Sequence, residues 1–274
     1  MRLLNLGLLL RAWRETLGAT VVFMVIIGSF GGLLSYALPR FQERFLKRGF
    51  VPPGLAQLRN TIMGVDSSAS GVAEIAYTLA WSHPVIVALL FAHAIIVTTR
   101  VPSGEIQSGT LDVLLGLPIS RWELFISETT AWLLTAAFVV GSMFAGSYIG
   151  SFWVKPENQP NWSVMGIVLA NLAMVYVLIG VCGLLASVFN DRRGRAVLFV
   201  MIFAAASVLV NYLELLWEPA KRIGFLSVLH YYRPALILRE AAWQWKDMAI
   251  LGGASAALWT IAGVKLARRD LATT

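Results

Sequence analysis

Long apolar stretches without charged residues dominate the chain, and short polar segments separate them. The charge-free runs lie between Glu15 and Arg40, Glu74 and Arg100, Glu128 and Lys155, Glu157 and Asp191, Arg195 and Glu214, and Asp247 and Lys265. A run of about 17 residues or more can cross a hydrocarbon core roughly 30 Å thick, because an α-helix rises about 1.5 Å per residue. We therefore predict an all-α membrane protein, with transmembrane helices over about 17–38, 83–99, 124–152, 163–189, 196–216 and 247–266.

The composition supports the same class. Of the 274 residues, 58% are hydrophobic and 14% are charged, and the mean hydropathy is +0.71. A soluble domain of this length needs more polar surface. We expect one transmembrane domain over 1–274. The net charge of +7 fits basic loops and helix ends at the membrane surface, and we predict no nucleic-acid partner.

The first apolar run has two interpretations. Arg11 and Arg14 precede it, and Ser35-Tyr36-Ala37 resembles the small-residue cleavage site of a signal peptide. The run is longer than the apolar core of a signal peptide, which is roughly 7–15 residues. An uncleaved first span is therefore the favoured interpretation. We expect residues 1–16 to form an amphipathic helix at the membrane interface that leads into the first span, and about 39–82 to form a long polar loop.

The orientation follows from the short basic loops. Basic residues are equally numerous on the two predicted sides, but the turn NDRRGR (190–195) and the C-terminal KLARRDL are both short and strongly basic. Short loops count most in the positive-inside rule. We predict a multi-pass protein of the cytoplasmic membrane, with both termini and residues 100–123 in the cytoplasm.

Residues 104–121, GEIQSGTLDVLLGLPISR, form an unusual loop between the second and third spans. One face at helical spacing carries Ile106, Thr110, Val113, Leu114 and Leu117. Pro118 ends this pattern, and Ser120 with Glu123 predicts a capping box that starts the third span. Periodicity alone allows either an interfacial helix or a helix that docks in a groove of a cytoplasmic partner.

The same stretch resembles a known family. GEIQSGTLDVLLGLPISRWEL is similar to the Glu…Gly-Thr-Leu…Leu-Leu…Pro-Ile/Val-Ser-Arg signature of ABC-2-type permeases, the membrane subunits of ATP-binding-cassette exporters. The resemblance extends to LAQLRNTIMG, to LSVLHYYRPA (226–235) and to KLARRDL. The family usually has an acidic run before Gly-Thr-Leu, whereas this chain has only Glu105 there.

The resemblance implies a cytoplasmic coupling helix that contacts a separate ATPase subunit. It also implies two copies of that ATPase, which would hold ATP and Mg, and a second permease copy or paralogue. No lysine in the chain follows a glycine, so the chain contains no phosphate-binding G-x-x-x-x-G-K-[ST] loop. By resemblance, Glu105 and Arg121 would make polar rim contacts, and Leu111, Leu114 and Leu115 would fill the partner's groove. The full set of contact residues so implied is Glu105, Gly109, Thr110, Leu111, Leu114, Leu115, Pro118 and Arg121.

Other chemistry-bearing residues are few. The chain has no H-E-x-x-H motif, its histidines are not at ligand spacing, and its single cysteine, Cys182, makes neither a disulfide nor a metal site, so we predict no metal, no cofactor bound by this chain and no enzyme activity. His83 is expected to cap a helix, and His93 to bond between helices. Residues considered for a translocation path or gate are His93, Asn171, Tyr176, Asn211, His230 and Tyr231. The alternative function is an ATP-independent carrier or a scaffold of a membrane complex.

Overall fold

The structure, a computed structural model, describes residues 4–47 and 72–269. Within these ranges six helical segments are long and apolar enough to cross a membrane, which confirms an all-helical, multi-pass membrane protein. Much of the predicted 39–82 loop, including LAQLRNTIMG, lies outside the described residues. Its described ends are helical instead, over 39–47 and 72–81, so the second span begins at Ala76 rather than at 83. The six segments are Leu6–Phe41, Ala76–Thr98, Arg121–Ser151, Pro156–Phe189, Arg193–Glu214 and Trp245–Arg268.

Ten α-helices make up the described chain, together with shorter turns. A π-helical turn covers Arg100–Gly104, and 3-10 turns cover Pro156–Asn158, Glu218–Arg222, Gly224–Leu226 and Val228–Tyr231. The α-helices are α1 Leu6–Lys47, α2 Val72–Trp81, α3 Pro84–Thr98, α4 Glu105–Ser108, α5 Leu111–Leu115, α6 Arg121–Ser151, α7 Trp162–Phe189, α8 Arg193–Leu216, α9 Pro234–Glu240 and α10 Trp245–Arg268.

Two predicted helix starts are confirmed. The Val85 amide donates to Nδ1 of His83 at 3.3 Å, so His83 caps α3 just before Pro84. At α6 the Glu123 amide donates to the Ser120 hydroxyl at 3.1 Å, and the Ser120 amide donates to the Glu123 carboxylate at 2.7 Å. This reciprocal pair is the capping box expected from the sequence.

The N-terminal segment differs from its prediction. Residues 6–16 do not form a separate interfacial helix but are the first turns of α1, a single helix of 42 residues. No proline or glycine pair interrupts it before Gly31. Part of its apolar surface contacts protein, since Leu8 packs with Leu111 and Leu124, while Leu6 and Leu10 stay exposed. At about 1.5 Å per residue α1 is about 63 Å long, so it extends beyond the hydrocarbon core.

Small residues bring α1 and α6 unusually close together. A Cβ on Gly146 would lie 1.9 Å from the carbonyl oxygen of Gly28, and a Cβ on Gly150 would lie 2.2 Å from that of Gly32. Glycines four residues apart on both helices let the two backbones touch. The small residues of GSMFAGSYIGS (141–151) therefore permit close packing of α6 on α1. Elsewhere α7 is the central helix, because it contacts α3, α6, α8 and α10.

Both ends of the described chain lie at the N-terminal end of α6. The Asn5 amide donates to the Ser127 hydroxyl at 3.1 Å, and Arg121 donates to the Leu266 carbonyl at 3.4 Å. A chain with an even number of spans has both of its ends on the same side of the membrane. We call this end of the bundle, which also carries residues 104–121, the loop end. The loop segment is the name used below for 104–121.

Candidate functional site

The loop segment folds as two short helices rather than the single amphipathic helix expected from its periodicity. Gly109 separates α4 from α5 and has a φ of +70°, a left-handed conformation that glycine adopts without a steric penalty. Its amide donates to the Ile106 carbonyl at 3.1 Å, and the Thr110 amide donates to the Glu105 carbonyl at 3.0 Å. These bonds end α4 as a left-handed C-cap does. The glycine therefore breaks the helix that the apolar spacing predicts.

A group of ion pairs fixes the loop segment to the membrane helices. Glu105 accepts from Arg11 of α1 at 2.6 Å, and its carboxylate lies 3.8 Å from the guanidinium of Arg100. Arg100 also pairs with Glu15 of α1 and with Glu128 of α6. Arg11 and Glu15 are 2.7 Å apart. We call Arg11, Glu15, Arg100, Glu105 and Glu128 the charge network.

Three of these charges are poorly exposed to solvent. The side chains of Glu105, Glu128 and Arg100 are 9%, 11% and 14% exposed. Breaking a buried ion pair is costly, since the remaining charge is left without compensation. Arg100 lies within ion-pair distance of carboxylates from α1, α4 and α6. A shift of the loop segment would therefore change how Arg100 divides its bonds among three elements.

The apolar residues of the loop segment point both inward and outward. Leu111 and Leu114 are buried, and they form a small cluster with Leu8, Val101 and Leu124. Leu111 and Leu114 therefore pack inside this chain and are not available to a partner. Other side chains of the loop segment are exposed. Val113 is 72% exposed and Leu117 is 49% exposed. Pro118, Gly109 and Thr110 are also exposed, whereas the side chain of Leu115 lies outside the described set.

Arg121 also makes contacts within the chain. Its Nη1 donates to the carbonyls of Leu266 and Ala267, at 3.4 Å each, and to that of Arg269. The last carbonyls of a helix have no partner within the helix and carry partial negative charge. Arg121 therefore ties the start of α6 to the end of α10.

Two further contacts join the loop end to α7 and α8. The Arg193 amide at the start of α8 donates to the side chain of Gln107 at 3.0 Å. The Ser187 hydroxyl of α7 donates to that of Ser103 at 2.9 Å. Sequence reasoning singled out none of these residues, nor Arg11, Arg100 or Glu128, for this site. Their partners are far apart along the chain, and no local spacing could have indicated them.

His93 lies deep in the bundle and bonds between helices, as predicted. Its Nδ1 is 2.6 Å from the Tyr176 hydroxyl of α7, and its Nε2 is 3.3 Å from the Thr20 hydroxyl of α1. The Trp132 ring stacks on Tyr176 with a centroid distance of 6.3 Å. His93 and Tyr176 are both fully buried in the chain. They hold α1, α3 and α7 together and do not face an open path within the described residues.

Asn171 and Asn211 have different surroundings. Asn171 on α7 is completely buried, and neither of its amide atoms has a hydrogen-bond partner among the residues that the structure describes. Asn211 on α8 is half-buried. Asn171 is the more unusual of the two, because a buried polar group without a partner is costly.

His230 and Tyr231 lie at the opposite end of the bundle from the loop segment. Nδ1 of His230 is 2.9 Å from the Glu214 carboxylate, and Nε2 is 3.1 Å from Arg233. Tyr231 donates to the Phe225 carbonyl at 2.9 Å. These contacts hold the 3-10 turns against the end of α8.

Tyr232 fixes the same region to the second span. Its hydroxyl donates to the Trp81 carbonyl at 3.1 Å. Burial raises the pKa of Tyr232, so the phenol stays protonated and remains a donor.

No group of His, Cys, Asp or Glu within residues 4–47 and 72–269 could hold a metal ion. Comparison of the chain with protein-family models, with curated proteins and with solved structures found no match.

Proposed function

We propose that the chain is the permease subunit of an ATP-binding-cassette exporter, and that its loop segment docks on a separate ATPase subunit. The observation that carries the proposal is the two-sided character of the loop segment. Its inner side is fixed to α1 and α6 through the charge network, while Val113 and Leu117 are exposed on its outer side. An exposed apolar pair, with Val113 on α5 and Leu117 in the bend after it, suits insertion into an apolar groove of a partner.

The contacts suggest how a movement of the partner would reach the membrane helices. A force on Val113 or Leu117 would act on Glu105, and through it on Arg11 of α1 and on Arg100 after α3. Glu128 extends the connection to α6. Packed helices with discrete alternative contacts can switch between arrangements, and the several partners of Arg100 provide such alternatives.

In this proposal Glu105 and Arg121 do not form the polar rim contacts with the partner that the resemblance implies. Both are occupied within the chain, Glu105 by Arg11 and Arg121 by the end of α10. We infer that they transmit movement to the helices, while exposed groups form the contact itself. Those groups are Gly109, Thr110, Val113, Leu117 and Pro118. ATP and Mg would be bound by two copies of the partner subunit.

A second permease copy or a paralogue would complete the transport path. Helix α8 is packed on one side, and Leu198, Phe199 and Ile202 are exposed on it. This face is available to a second subunit in the membrane. The two subunits would then enclose the path between them, and the cargo would leave the cytoplasm.

The proposed orientation puts the loop end in the cytoplasm. Positively charged residues near the ends of spans favour the cytoplasmic side. The loop end carries Arg11, Arg14, Arg100, Arg121, Arg192, Arg193, Arg195, Lys265, Arg268 and Arg269.

Co-purification tests the proposal. The tagged chain is solubilised from native membranes in mild detergent, and P-loop ATPases that remain bound are identified. We expect an ATPase with wild type, none with the double variant Val113→Asp and Leu117→Asp, and normal binding with Leu226→Asp. Leu226 is a matched control because it is also exposed, at the opposite end of the bundle.

Two results would contradict the proposal. One is a wild-type preparation without any P-loop ATPase, from membranes whose other ATPase–permease complexes survive the same detergent. The other is an ATPase that stays bound to the double variant. Variants of Leu114 or Arg121 are less suitable, because they would disturb the internal contacts described above.

A further inference from the structure

An open apolar groove runs along the bundle between α1 and α6. Its volume is about 950 Å³, within the range of roughly 300–1,000 Å³ that is usual for small-molecule sites. Residues of both helices line it, among them Met24, Gly28, Tyr36, Phe138, Gly141 and Trp153. It lies apart from the loop segment and from the buried His93.

Small residues create the groove. The contact of Gly28 and Gly32 with Gly146 and Gly150 brings the two helices together. Beside this contact the wall stays open at Gly141, since a Cβ there would meet no atom within 4 Å. The groove is therefore a concavity beside a tight helix crossing.

The groove opens toward the hydrocarbon core of the membrane. The residues at its edges are apolar and exposed, including Val25, Leu33, Phe138 and Ile149. They belong to the membrane-crossing segments of α1 and α6. In a bilayer the molecules that meet such a surface are lipid acyl chains, and an acyl chain has the apolar character that the groove requires.

One end of the groove carries a fixed positive charge. The guanidinium of Arg40 lies 4.0 Å above the ring centre of Tyr36, and its Nη2 donates to the Trp153 carbonyl at 2.6 Å. Tyr36 and Trp153 line the groove, and such residues are frequent at the level of lipid headgroups. Arg40 is exposed, and its Nη1 also donates to the Tyr36 hydroxyl. A guanidinium has five N–H donors in total, more than these two hydrogen bonds use.

The walls of the groove carry no negative charge. Residues 16–39 and 129–151 contain no Asp or Glu. The residues that line the groove therefore include no carboxylate that would repel an anionic headgroup near Arg40. A phosphate group would supply the negative charge.

We infer that the groove binds an anionic phospholipid, with an acyl chain between α1 and α6 and the phosphate at Arg40. The site would draw lipid from the leaflet opposite the loop segment. The inference requires only that the chain lies in a membrane, so it stands or falls separately from the proposed ATPase partner.

Photolabelling of the full chain in lipid nanodiscs tests the inference. Two lipids carry the same photoreactive acyl chain, one with an anionic phosphatidylglycerol headgroup and one with a zwitterionic phosphatidylcholine headgroup. We expect label on peptides that cover 24–36 and 137–150, with about five-fold more from the anionic lipid, the effect of one basic residue near a charged headgroup. Excess inorganic phosphate should not compete, because it has no acyl chain.

Two substitutions, Gly141→Leu and Arg40→Gln, test the acyl-chain groove and the headgroup contact separately, and Gly166→Leu is a control. Gly141→Leu fills the groove and should abolish its labelling by both lipids, whereas Gly166→Leu, which adds the same side chain to open space on α7, should leave the labelling unchanged. Arg40→Gln should keep the label but remove the preference for the anionic headgroup. All variants are first checked for a monodisperse elution profile.

Three outcomes would overturn the inference. Equal labelling of the wild type by both lipids would show that Arg40 does not select an anionic headgroup. Labelling of the groove that Gly141→Leu does not reduce would show that the acyl chain lies elsewhere. Disulfide crosslinks between two chains at Gly141→Cys, with no lipid label, would show that a second copy fills the groove.

Discussion

Arg11, near the start of the first helix, and Glu105, at the start of the loop segment, form an ion pair of 2.6 Å although 94 positions separate them in sequence. Arg100 lies 3.8 Å from the same carboxylate. One poorly exposed carboxylate therefore links the loop segment both to α1 and to Arg100 after α3. In the proposed exporter, this carboxylate is the point through which movement of the ATPase reaches the spans.

Glu105→Gln should lower the stability of the folded chain and weaken coupling. The neutral amide would leave Arg11 and Arg100 with less compensation, and we expect a loss of about 1–3 kcal/mol in the free energy of unfolding, the usual contribution of a hydrogen bond to a charged group. Unfolding in detergent micelles measures it. Glu218→Gln is the control, because Glu218 also has a basic partner at 2.6 Å but its side chain is 82% exposed.

The control should change stability by about 1 kcal/mol or less, as exposed ion pairs do. Equal effects of the two substitutions would mean that burial of Glu105 does not strengthen its contribution. The account of the charge network would then be wrong.

Gly146→Ala should destabilise the bundle, whereas Gly141→Ala should not. The added methyl at position 146 would lie 1.9 Å from the Gly28 carbonyl oxygen, so α1 and α6 would have to move apart. Overpacking of this kind costs about 1–3 kcal/mol. At position 141 the methyl meets open space, and alanine is the better helix former by up to about 1 kcal/mol.

Thermal unfolding of the two purified variants makes this comparison. A melting temperature of Gly146→Ala at or above that of Gly141→Ala would be incompatible with the direct backbone contact.

Tyr176→Phe should weaken the joint between α1, α3 and α7. The substitution removes the hydroxyl that lies 2.6 Å from Nδ1 of His93. Hydrogen bonds between membrane helices contribute about 1–2 kcal/mol in model systems, and we expect a loss of that size. Tyr148→Phe, at an exposed tyrosine, should change stability by about 0.5 kcal/mol or less.

The same pair tests whether Tyr176 lines the transport path. Transport per folded molecule should be similar in both variants, because Tyr176 is buried within the chain. A changed cargo range in Tyr176→Phe alone would instead assign Tyr176 to the path.

Cysteine labelling should establish the orientation. In a Cys182→Ser background, single cysteines replace Val113 at the loop end and Glu157 at the opposite end, where the side chains are 72% and 71% exposed. We expect a membrane-impermeant maleimide to label intact cells at position 157 only, and opened membranes at both positions. Labelling of position 113 in intact cells would exclude docking on a cytoplasmic ATPase.

Much of the fold could be predicted from the sequence, because the bilayer requires long apolar helices. The charge-free runs indicated the spans, and Ser120 with Glu123 indicated the start of α6. The N-terminal segment was misjudged, since its leucines fit either a membrane surface or a protein surface. Only the tertiary position of Leu8, against Leu111 and Leu124, distinguishes the two.

The candidate site was less predictable for two physical reasons. Helical periodicity assumes an unbroken helix, and the left-handed conformation of Gly109 breaks it, so Ile106 packs inward while Val113, predicted on the same face, is exposed. The partners of Glu105 are also remote in sequence. Arg11 and Arg100 look like ordinary interfacial charges until the fold brings them to the same carboxylate.

Site-specific crosslinking at Val113 tests the central claim most directly. A photoreactive amino acid replaces Val113 in native membranes, with Leu226 as the control position at the opposite end, and crosslinked proteins are identified by mass spectrometry. We predict that position 113 captures a subunit with a G-x-x-x-x-G-K-[ST] loop, and that position 226 does not. Crosslinks from position 113 to lipid alone, in cells that produce the chain with its native partners, would contradict the proposed docking and leave the loop segment as an interfacial element.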